Sequence, residues 1–392
     1  MRNLRIMLLF VAAASVIVLY ALSRPLVDFV VYWTAAHLFV AHKNPYSIAD
    51  VYQIQHALGF NGPLPLMLLC PPWALAAFAP LGYAQSYLLA WCLWMLILIS
   101  TVAISSRVLM DLYFGSLQVP EVSSPHSYRY LFAFTFYPVL LGLKFAQIAP
   151  LILLGVAGFV YFEAKNRPAL AGILLSLTLL KPHLLFLVWI AVLLRSLRAR
   201  QWKVPVSSTA VIIALSTVTL AHNPQVFQQY WGLMIGPFPQ TVLSGILAGV
   251  RDALQPRPSY WLQYLPPIVG LVWFARYWRK HKNNWCWIDR LPMLVTASLI
   301  TAPYGFTFDQ TLLIIPITFL AAESSRESGR IPTNAVLLYT ALNATVLLVA
   351  IYSTPWAVVP APLLIAGLLY RRSRFGNSRI VMGAIRASQH TI

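Results

Sequence analysis

Asp28 is the acidic residue whose position most strongly suggests chemistry. The chain has only ten acidic residues among its 392, and Asp28 follows the first hydrophobic segment, which places it at the expected rim of a membrane bundle. A carboxylate beside a bilayer is costly unless it has a function. Asp309 holds a similar position before a late hydrophobic segment. Either residue could instead cap the helix that it begins, because aspartate is a common N-cap.

Basic residues expected on the same side could bind an anion. Lys181, in Lys181-Pro182-His183, lies between two hydrophobic segments with almost no loop around it. A lysine there needs a carboxylate, a phosphate or a route to water, and snorkelling to the interface is the alternative. His183 is close to it in the chain, and Arg251 lies in a long loop predicted on the same side. We expect these three residues to be candidates for binding an anionic lipid head group.

An acid and several cations at the rim of a bundle suit group transfer from a lipid phosphate. A carboxylate can take the proton from an acceptor hydroxyl as that hydroxyl attacks, and lysine or arginine can stabilise the departing phosphate. Such a reaction does not demand a metal, and the histidines show no metal-binding spacing. Cys70, Cys92 and Cys286 are scattered and show none either, so we interpret them as small apolar packing residues.

The composition predicts an all-α polytopic membrane protein. The chain is 59% hydrophobic and 10% charged, whereas a soluble domain is about 25% charged. A spanning helix needs roughly 20 apolar residues, and about twelve such segments can be placed. They lie near residues 6–22, 84–106, 130–145, 147–163, 168–181, 183–195, 204–221, 263–277, 290–303, 309–322, 331–351 and 357–370. The first could also be a signal peptide, but we favour an uncleaved anchor because later segments hold the chain in the membrane.

The distribution of charge predicts the orientation. With the N-terminus in the cytoplasm, most of the 28 basic residues fall in cytoplasmic loops. The six outside are Arg24, Lys43, Lys144, Lys181, Arg251 and Arg257. This positive-inside asymmetry explains the net charge of +18 without nucleic-acid binding. We expect a multi-pass protein of the bacterial inner (plasma) membrane with both termini cytoplasmic.

The chain is predicted to form a single integral membrane domain over residues 1–392. Its first periplasmic loop is expected at 23–83, its second at 222–263 and a basic cytoplasmic tail at 371–392. Residues 28–40 predict an amphipathic helix lying in the membrane interface. The stretch 64–81 is apolar but broken by prolines, so it predicts a lobe folded onto the bundle. No phosphate-binding G-x-x-x-x-G-K-[ST] loop occurs, which argues against an ATP-driven pump.

The chain resembles glycosyltransferase family 87, a branch of the GT-C membrane glycosyltransferases. The resemblance covers most of residues 28 to about 316 and depends on the order of several short motifs. The matching residues are Asp28, Phe29, Tyr32, Ala35, Ala36, Asn44, Pro45, Tyr46, Pro71, Pro72, Ala79, Pro80, Leu81, Gln147, Gly172, Lys181, Pro182, Pro303, Tyr304 and Asp309. Three departures stand out: the family's Tyr-Pro-Pro begins with Cys70, its Gly-Gln is Ala146-Gln147, and some members carry histidine near Asp309.

The resemblance implies a GT-C-like bundle of about twelve helices that is an inverting hexosyltransferase, most often a mannosyltransferase. The donor would be a polyprenyl-phosphate hexose, with no other cofactor and no metal. The acceptor would be a glycolipid or glycan hydroxyl at the outer face. Asp28 would be the general base, and Asp309 would assist it or hold the acceptor. The resemblance also suggests four substrate-binding residues, namely Gln147, Tyr32, Asn44 and Tyr46.

Two hypotheses from other classes stay open at this point. A transporter or flippase of a lipid-linked sugar would share the polar cavity and the basic outer residues. Transporters often contain matching halves, and the proline-rich first loop has no counterpart later in the chain. A structural membrane scaffold is the third hypothesis, and it gives Asp28 no function.

Overall fold

The fold is described from a computed structural model, which covers residues 28–84, 86–116, 130, 132–236, 260–326, 331–351 and 358–375. Across these ranges the regular structure is helical and contains no strand. The predicted first span, near residues 6–22, lies outside the described residues. So do the predicted tail beyond 375 and Arg251 in the second long loop.

Fifteen α-helices and four short 3₁₀ helices make up the described regular structure. The α-helices are α1 Phe29–Val40, α2 Ile48–Ala57, α3 Trp73–Gly82, α4 Tyr87–Ser116, α5 Tyr137–Lys144, α6 Ala149–Ala164, α7 Pro168–Leu175, α8 Phe186–Ala199, α9 Lys203–His222, α10 Val226–Ile235, α11 Leu265–His281, α12 Trp287–Thr301, α13 Ile314–Ser325, α14 Thr333–Ile351 and α15 Pro360–Phe375. The 3₁₀ helices are Ser176–Leu180, Pro182–Leu185, Tyr260–Tyr264 and Thr307–Leu313.

The helices agree well with the predicted hydrophobic segments. Within the described residues, three are long and apolar enough to cross a membrane, namely Tyr87–Ser116, Pro182–Ala199 and Lys203–His222. Shorter apolar helices, including α6, coincide with other predicted spans. An all-helical membrane protein is therefore supported, and the number of about twelve spans stays a prediction.

Helix α1 has the predicted bounds but a different environment. Nine of its twelve residues are buried inside the protein, among them Phe29, Tyr32 and Trp33. An amphipathic helix at a membrane surface would keep one face polar and exposed. An exposed polar face is therefore not observed for α1, because α3 and α4 pack against its apolar residues. The position of α1 at the membrane interface stays a prediction.

The proline-broken stretch forms the lobe that covers α1. Residues 58–72 are mostly irregular, and α3 starts after Pro71-Pro72, as expected since proline is tolerated at a helix start but not in its interior. Helix α3 approaches α1 very closely at Gly82, where an added Cβ would lie 2.4 Å from the carbonyl oxygen of Ala36. This close contact fixes α1, and with it Asp28, against the lobe.

Helices α4, α6, α7 and α9 form a tightly packed scaffold beside α1. Trp94 of α4 donates from Nε1 to the carbonyl oxygen of Ala146 at 2.8 Å, just before α6. Helices α7 and α9 meet at Gly172, whose carbonyl oxygen accepts a hydrogen bond of 2.6 Å from Ser208 Oγ. Small residues at such contacts let helix backbones approach each other in a membrane protein.

The chain breaks its helix at Lys181-Pro182. Helix α7 tightens into the 3₁₀ helix Ser176–Leu180, and a second 3₁₀ turn leads into α8. Lys181 has φ −138° and ψ 73°, away from helical values, because a residue before proline is disfavoured in the α conformation. The break leaves Lys181 facing the interior of the bundle, where it is 14% exposed.

A second polar cluster lies at the other end of α13. Glu323, near the end of that helix, pairs with Arg372 of α15 at 3.0 Å, whereas Asp309 precedes its start. The twelve residues of α13 correspond to about 18 Å at 1.5 Å per residue. Acids predicted on opposite sides of the membrane are therefore well separated in the fold.

Candidate functional site

Asp28 lies at the start of α1, and its carboxylate does not cap that helix. It accepts a short hydrogen bond at Oδ2 from Gln147 Nε2. The other end of the Gln147 amide, Oε1, accepts a 2.9 Å hydrogen bond from the hydroxyl of Tyr32. Tyr32 and Gln147 are 4% and 6% exposed. The three side chains thus form a buried chain of hydrogen bonds, and the simple capping role considered for Asp28 is not observed.

The surroundings of Asp28 change its acidity. Burial raises its pKa above the ordinary value of 3.8, while the Gln147 hydrogen bond and the charge of Lys181 act in the opposite direction. Asp309 contributes a smaller like-charge repulsion that also raises the pKa. A carboxylate with a raised pKa is a stronger base at neutral pH. The site therefore favours proton abstraction by Asp28.

Asp309 and Lys181 form a buried ion pair. Lys181 Nζ donates to Asp309 Oδ1 at 2.8 Å, and the aspartate side chain is 2% exposed. Asp309 Oδ2 also accepts a 3.0 Å hydrogen bond from the backbone N–H of Phe306, which is the N-cap of the 3₁₀ helix Thr307–Leu313. Asp309 is therefore not the N-cap itself, although its side chain supports the helix start. Lys181 also lies over the ring of Phe308, 5.0 Å from its centroid.

His183 stacks on Tyr304 beside this pair. Their ring centroids are 3.8 Å apart, and His183 Nε2 is buried without a hydrogen-bond partner among the residues that the structure describes. A buried polar atom without a partner costs free energy. This nitrogen is therefore available to a ligand that can supply a hydrogen bond.

Tyr46 and Asn44 differ in what they offer a ligand. Asn44 Oδ1 accepts from the backbone N–H of Tyr46 at 2.9 Å, so its side chain holds the turn. The Tyr46 ring meets Tyr230 edge-on at 5.4 Å, and its hydroxyl is buried with no partner in the described part of the chain. Cys70 is buried in the same region, and burial raises the pKa of its thiol to about 12, so it stays protonated.

A narrow cleft with a volume of about 20 Å³ opens beside the ion pair. Its walls include Leu184, Tyr304, Phe306 and Asp309, together with Pro362 of α15. The cleft joins apolar and aromatic walls to a charged end, which is the arrangement expected for a ligand with an apolar chain and a polar head.

The structure brings most of the predicted residues together although they are far apart in the sequence. Gln147 contacts Asp28 across 119 residues, and Lys181 contacts Asp309 across 128. Only Arg251, among the predicted site residues, lies outside the described ranges. The rings of Phe306 and Phe308 stack with their centroids 5.0 Å apart and lie beside the Lys181 ammonium. No sequence motif indicated that these two rings would be part of the site.

No group of three or more histidine, cysteine or acidic side chains that could hold a metal ion occurs in the described ranges. The polar groups of the site are instead two carboxylates, one ammonium, an imidazole and an amide. A carboxylate can accept a proton, and an ammonium group can bind an anion.

Comparison with known proteins gives a family. No curated protein and no solved structure matches the chain. The sequence pattern of glycosyltransferase family 87 matches residues 68–303, which is more than half of the 392 residues. The matched range includes Gln147, Lys181 and His183, and the family implies a glycosyltransferase. The chain therefore belongs to glycosyltransferase family 87.

Proposed function

We propose that this glycosyltransferase moves a hexosyl group, in its commonest form mannosyl, from a polyprenyl-phosphate donor to a hydroxyl of a glycolipid or glycan. The reaction inverts the anomeric centre and takes place at the outer face of the inner (plasma) membrane, with both termini in the cytoplasm. The observation that carries the proposal is a partly buried carboxylate, Asp28, close enough to the Lys181–Asp309 pair for their charges to affect its pKa, with an apolar cleft beside that pair.

In this proposal Asp28 is the general base. The acceptor hydroxyl gives its proton to the carboxylate while its oxygen attacks the anomeric carbon from the side opposite the phosphate. The bond between the anomeric carbon and the phosphate oxygen breaks, and the polyprenyl phosphate leaves with the electron pair. The raised pKa of Asp28 supports this role, because it increases the affinity of the carboxylate for the proton.

The leaving phosphate would be stabilised by Lys181, His183 and Arg251. Lys181 is held by Asp309 at 2.8 Å, and an ammonium has three donors, so one hydrogen bond to Asp309 is compatible with another to a phosphate oxygen. Asp309 would thereby orient Lys181 as well as assist the base or hold the acceptor. His183 contributes the buried Nε2 described above.

The resemblance suggests four more substrate-binding residues, Tyr46, Asn44, Tyr32 and Gln147, of which the last two are bonded to each other and Gln147 to Asp28. Tyr46 fits a direct role best, since its buried hydroxyl lacks a partner among the described side chains and a sugar hydroxyl could supply one. Asn44 supports Tyr46 through its hydrogen bond to the turn. The prenyl chain would lie along the cleft walls, among the membrane lipids.

The test uses the purified protein in detergent with a radiolabelled polyprenyl-phosphate hexose and a glycolipid extract. We expect label to move to a new lipid in the absence of a sealed bilayer. A flippase would move the donor between leaflets and leave its bonds unchanged. Absence of any transfer with polyprenyl-phosphate hexoses, under conditions where the protein is folded, would contradict the proposed reaction.

Asp28→Asn tests the role of the base. We expect turnover to fall by about 10²- to 10⁴-fold, the usual contribution of general base catalysis, while donor binding is retained. Asp50→Asn is the matched control, because Asp50 lies in α2 of the same loop and its backbone N–H bonds Ser47 Oγ. Turnover of Asp28→Asn equal to that of the control would remove Asp28 from the mechanism.

A further inference from the structure

We propose that Gln147 is a positioning residue, which together with Tyr32 holds one carboxylate oxygen of Asp28 and leaves the other, Oδ1, directed to the acceptor. The inference deepens the proposed function, on which its catalytic part rests. It also gives Gln147 a different role from the substrate contact suggested by the family resemblance.

The hydrogen bonds allow only one orientation of the Gln147 amide. An ionised carboxylate can accept hydrogen bonds but cannot donate them, so the NH₂ group must face Asp28. The oxygen of the amide then faces Tyr32, whose hydroxyl donates to it at 2.9 Å. The ionised carboxylate therefore sets the orientation of the amide, and the Tyr32 hydroxyl satisfies the amide oxygen that this orientation leaves on the other side.

The backbone at Gln147 is held firmly. The N–H of Gln147 donates to the carbonyl oxygen of Gly142 at 2.8 Å, and the preceding carbonyl is bound by Trp94. Ala146 has φ 52°, in the left-handed region that favours glycine, and it occupies the position of the family's glycine. This turn, which connects α5 to α6, places the Gln147 side chain next to Asp28.

Both ends of the Gln147 amide are engaged, with Asp28 at the nitrogen and Tyr32 at the oxygen. One N–H of the amide is left over, so the positioning role and a phosphate-binding role are separated by what each predicts. The amide hydrogen bond also opposes the effect of burial on the acidity of Asp28. A positioning role thus predicts a changed protonation of Asp28 when Gln147 is replaced. A phosphate-binding role predicts instead that the protein binds the polyprenyl-phosphate donor more weakly.

The first experiment needs no substrate. Infrared difference spectra between the purified full-length protein and its Asp28→Asn variant isolate the carboxyl band of Asp28, which is followed as a function of pH. We expect Gln147→Leu and Gln147→Asn to raise the midpoint by about one to two pH units, the value of a hydrogen bond to a charged group. Tyr32→Phe should shift the midpoint in the same direction but by a smaller amount. This variant should fold, because the substitution removes only one oxygen atom.

Gln55→Leu is the matched control. Gln55 is also a buried glutamine whose amide is bonded at both ends, to the backbone N–H and carbonyl of Leu66 at 2.9 and 2.8 Å. This variant should leave the Asp28 midpoint unchanged. An unchanged midpoint in the Gln147 and Tyr32 variants, or an equal shift in the control, would overturn the positioning role.

The second experiment follows transfer kinetics. We expect Gln147→Leu to lower kcat. The lower apparent pKa in the pH profile of kcat/KM should shift to higher pH together with the infrared midpoint. The KM for the donor should change by less than about twofold, because the amide acts on the base and makes no donor contact. A raised KM for the donor with no shift of that apparent pKa would contradict the inference. If no hexosyl transfer is found at all, the proposed reaction fails, whereas the infrared titration still decides whether Gln147 positions Asp28.

Discussion

At the scale of single residues, Asp28 combines a proposed role as the base with a cost to stability. Its carboxylate is partly buried, and its pKa lies above 3.8, so the folded protein binds the proton more tightly than the unfolded chain. The stability that Asp28 contributes is therefore fully present below pH 3.8 and is lost as the pH rises through the raised pKa.

Asp28→Asn should consequently be more stable than the wild type at neutral pH, although its turnover should be much lower. The expected gain is about 1.4 kcal/mol for each unit by which the pKa exceeds its ordinary value, and it should vanish near pH 3.8, where the carboxyl is largely protonated. Thermal unfolding in detergent as a function of pH measures both. A variant that is less stable than the wild type at pH 7 would show that the charged form is favoured in the fold.

The Lys181–Asp309 pair makes a different prediction. Lys181→Met alone leaves a buried carboxylate without its partner, so we expect a loss of about 3 kcal/mol in unfolding free energy. Lys181→Met combined with Asp309→Leu should recover part of the loss, since no charge is then left buried.

Arg107→Met is the control for this experiment. Arg107 pairs with Asp111 at 3.8 Å, with side chains that are 64% and 42% exposed, and exposed pairs contribute roughly 0–1 kcal/mol. Equal losses in Lys181→Met and Arg107→Met would mean that the buried pair does not stabilise the fold.

At the scale of helices, the close contact of α1 with α3 positions the base. Gly82→Ala would place a methyl group 2.4 Å from the carbonyl oxygen of Ala36, so the helices must separate. We expect a loss of about 1–3 kcal/mol and a lower kcat, since Asp28 begins α1. Both are measurable by thermal unfolding and by transfer assays.

Gly115→Ala provides the comparison for Gly82→Ala. An added Cβ at Gly115, near the end of α4, meets nothing within 4 Å, and alanine favours helix by up to about 1 kcal/mol. This variant should be neutral or slightly stabilised. If both glycine variants behave alike, the contact between α1 and α3 does not constrain the site.

Hydrophobic segments predicted the helices, and the motifs predicted the site only in part. The span predicted at residues 204–221 corresponds to α9, Lys203–His222. A long apolar segment in lipid must satisfy its own backbone hydrogen bonds, which a helix does. The burial of α1 was missed, because the sequence of one helix does not show what packs on its second face. The Gln147 bond to Asp28 was missed for the same reason, since it joins residues 119 positions apart.

At the scale of the whole molecule, the two ends of the bundle differ in their polar residues. Asp28, Lys181 and Asp309 gather at one end, and Glu323 with Arg372 at the other. The charge asymmetry predicts that the first end faces outward.

Cysteine labelling tests this orientation. We expect Lys43→Cys, in a background without native cysteines, to react with a membrane-impermeant maleimide added to intact spheroplasts. Lys280→Cys should react only after the membrane is opened. Lys43 and Lys280 are both exposed lysines, so accessibility of the side chain is matched. The reverse pattern would place Asp28 on the cytoplasmic side and exclude the proposed outer-face reaction.

The long sequence separation of the paired residues has a consequence for biogenesis. Asp28 is made 119 residues before Gln147, and Lys181 is made 128 residues before Asp309. At about 5–20 residues per second, the ribosome needs on the order of ten seconds to deliver each partner. During that interval a nascent chain carries a carboxylate and then an ammonium that must be kept hydrated or sheltered at the insertion machinery. Chains stalled between residues 181 and 309 would carry an uncompensated lysine, a feature by which membrane quality control could distinguish them from finished protein.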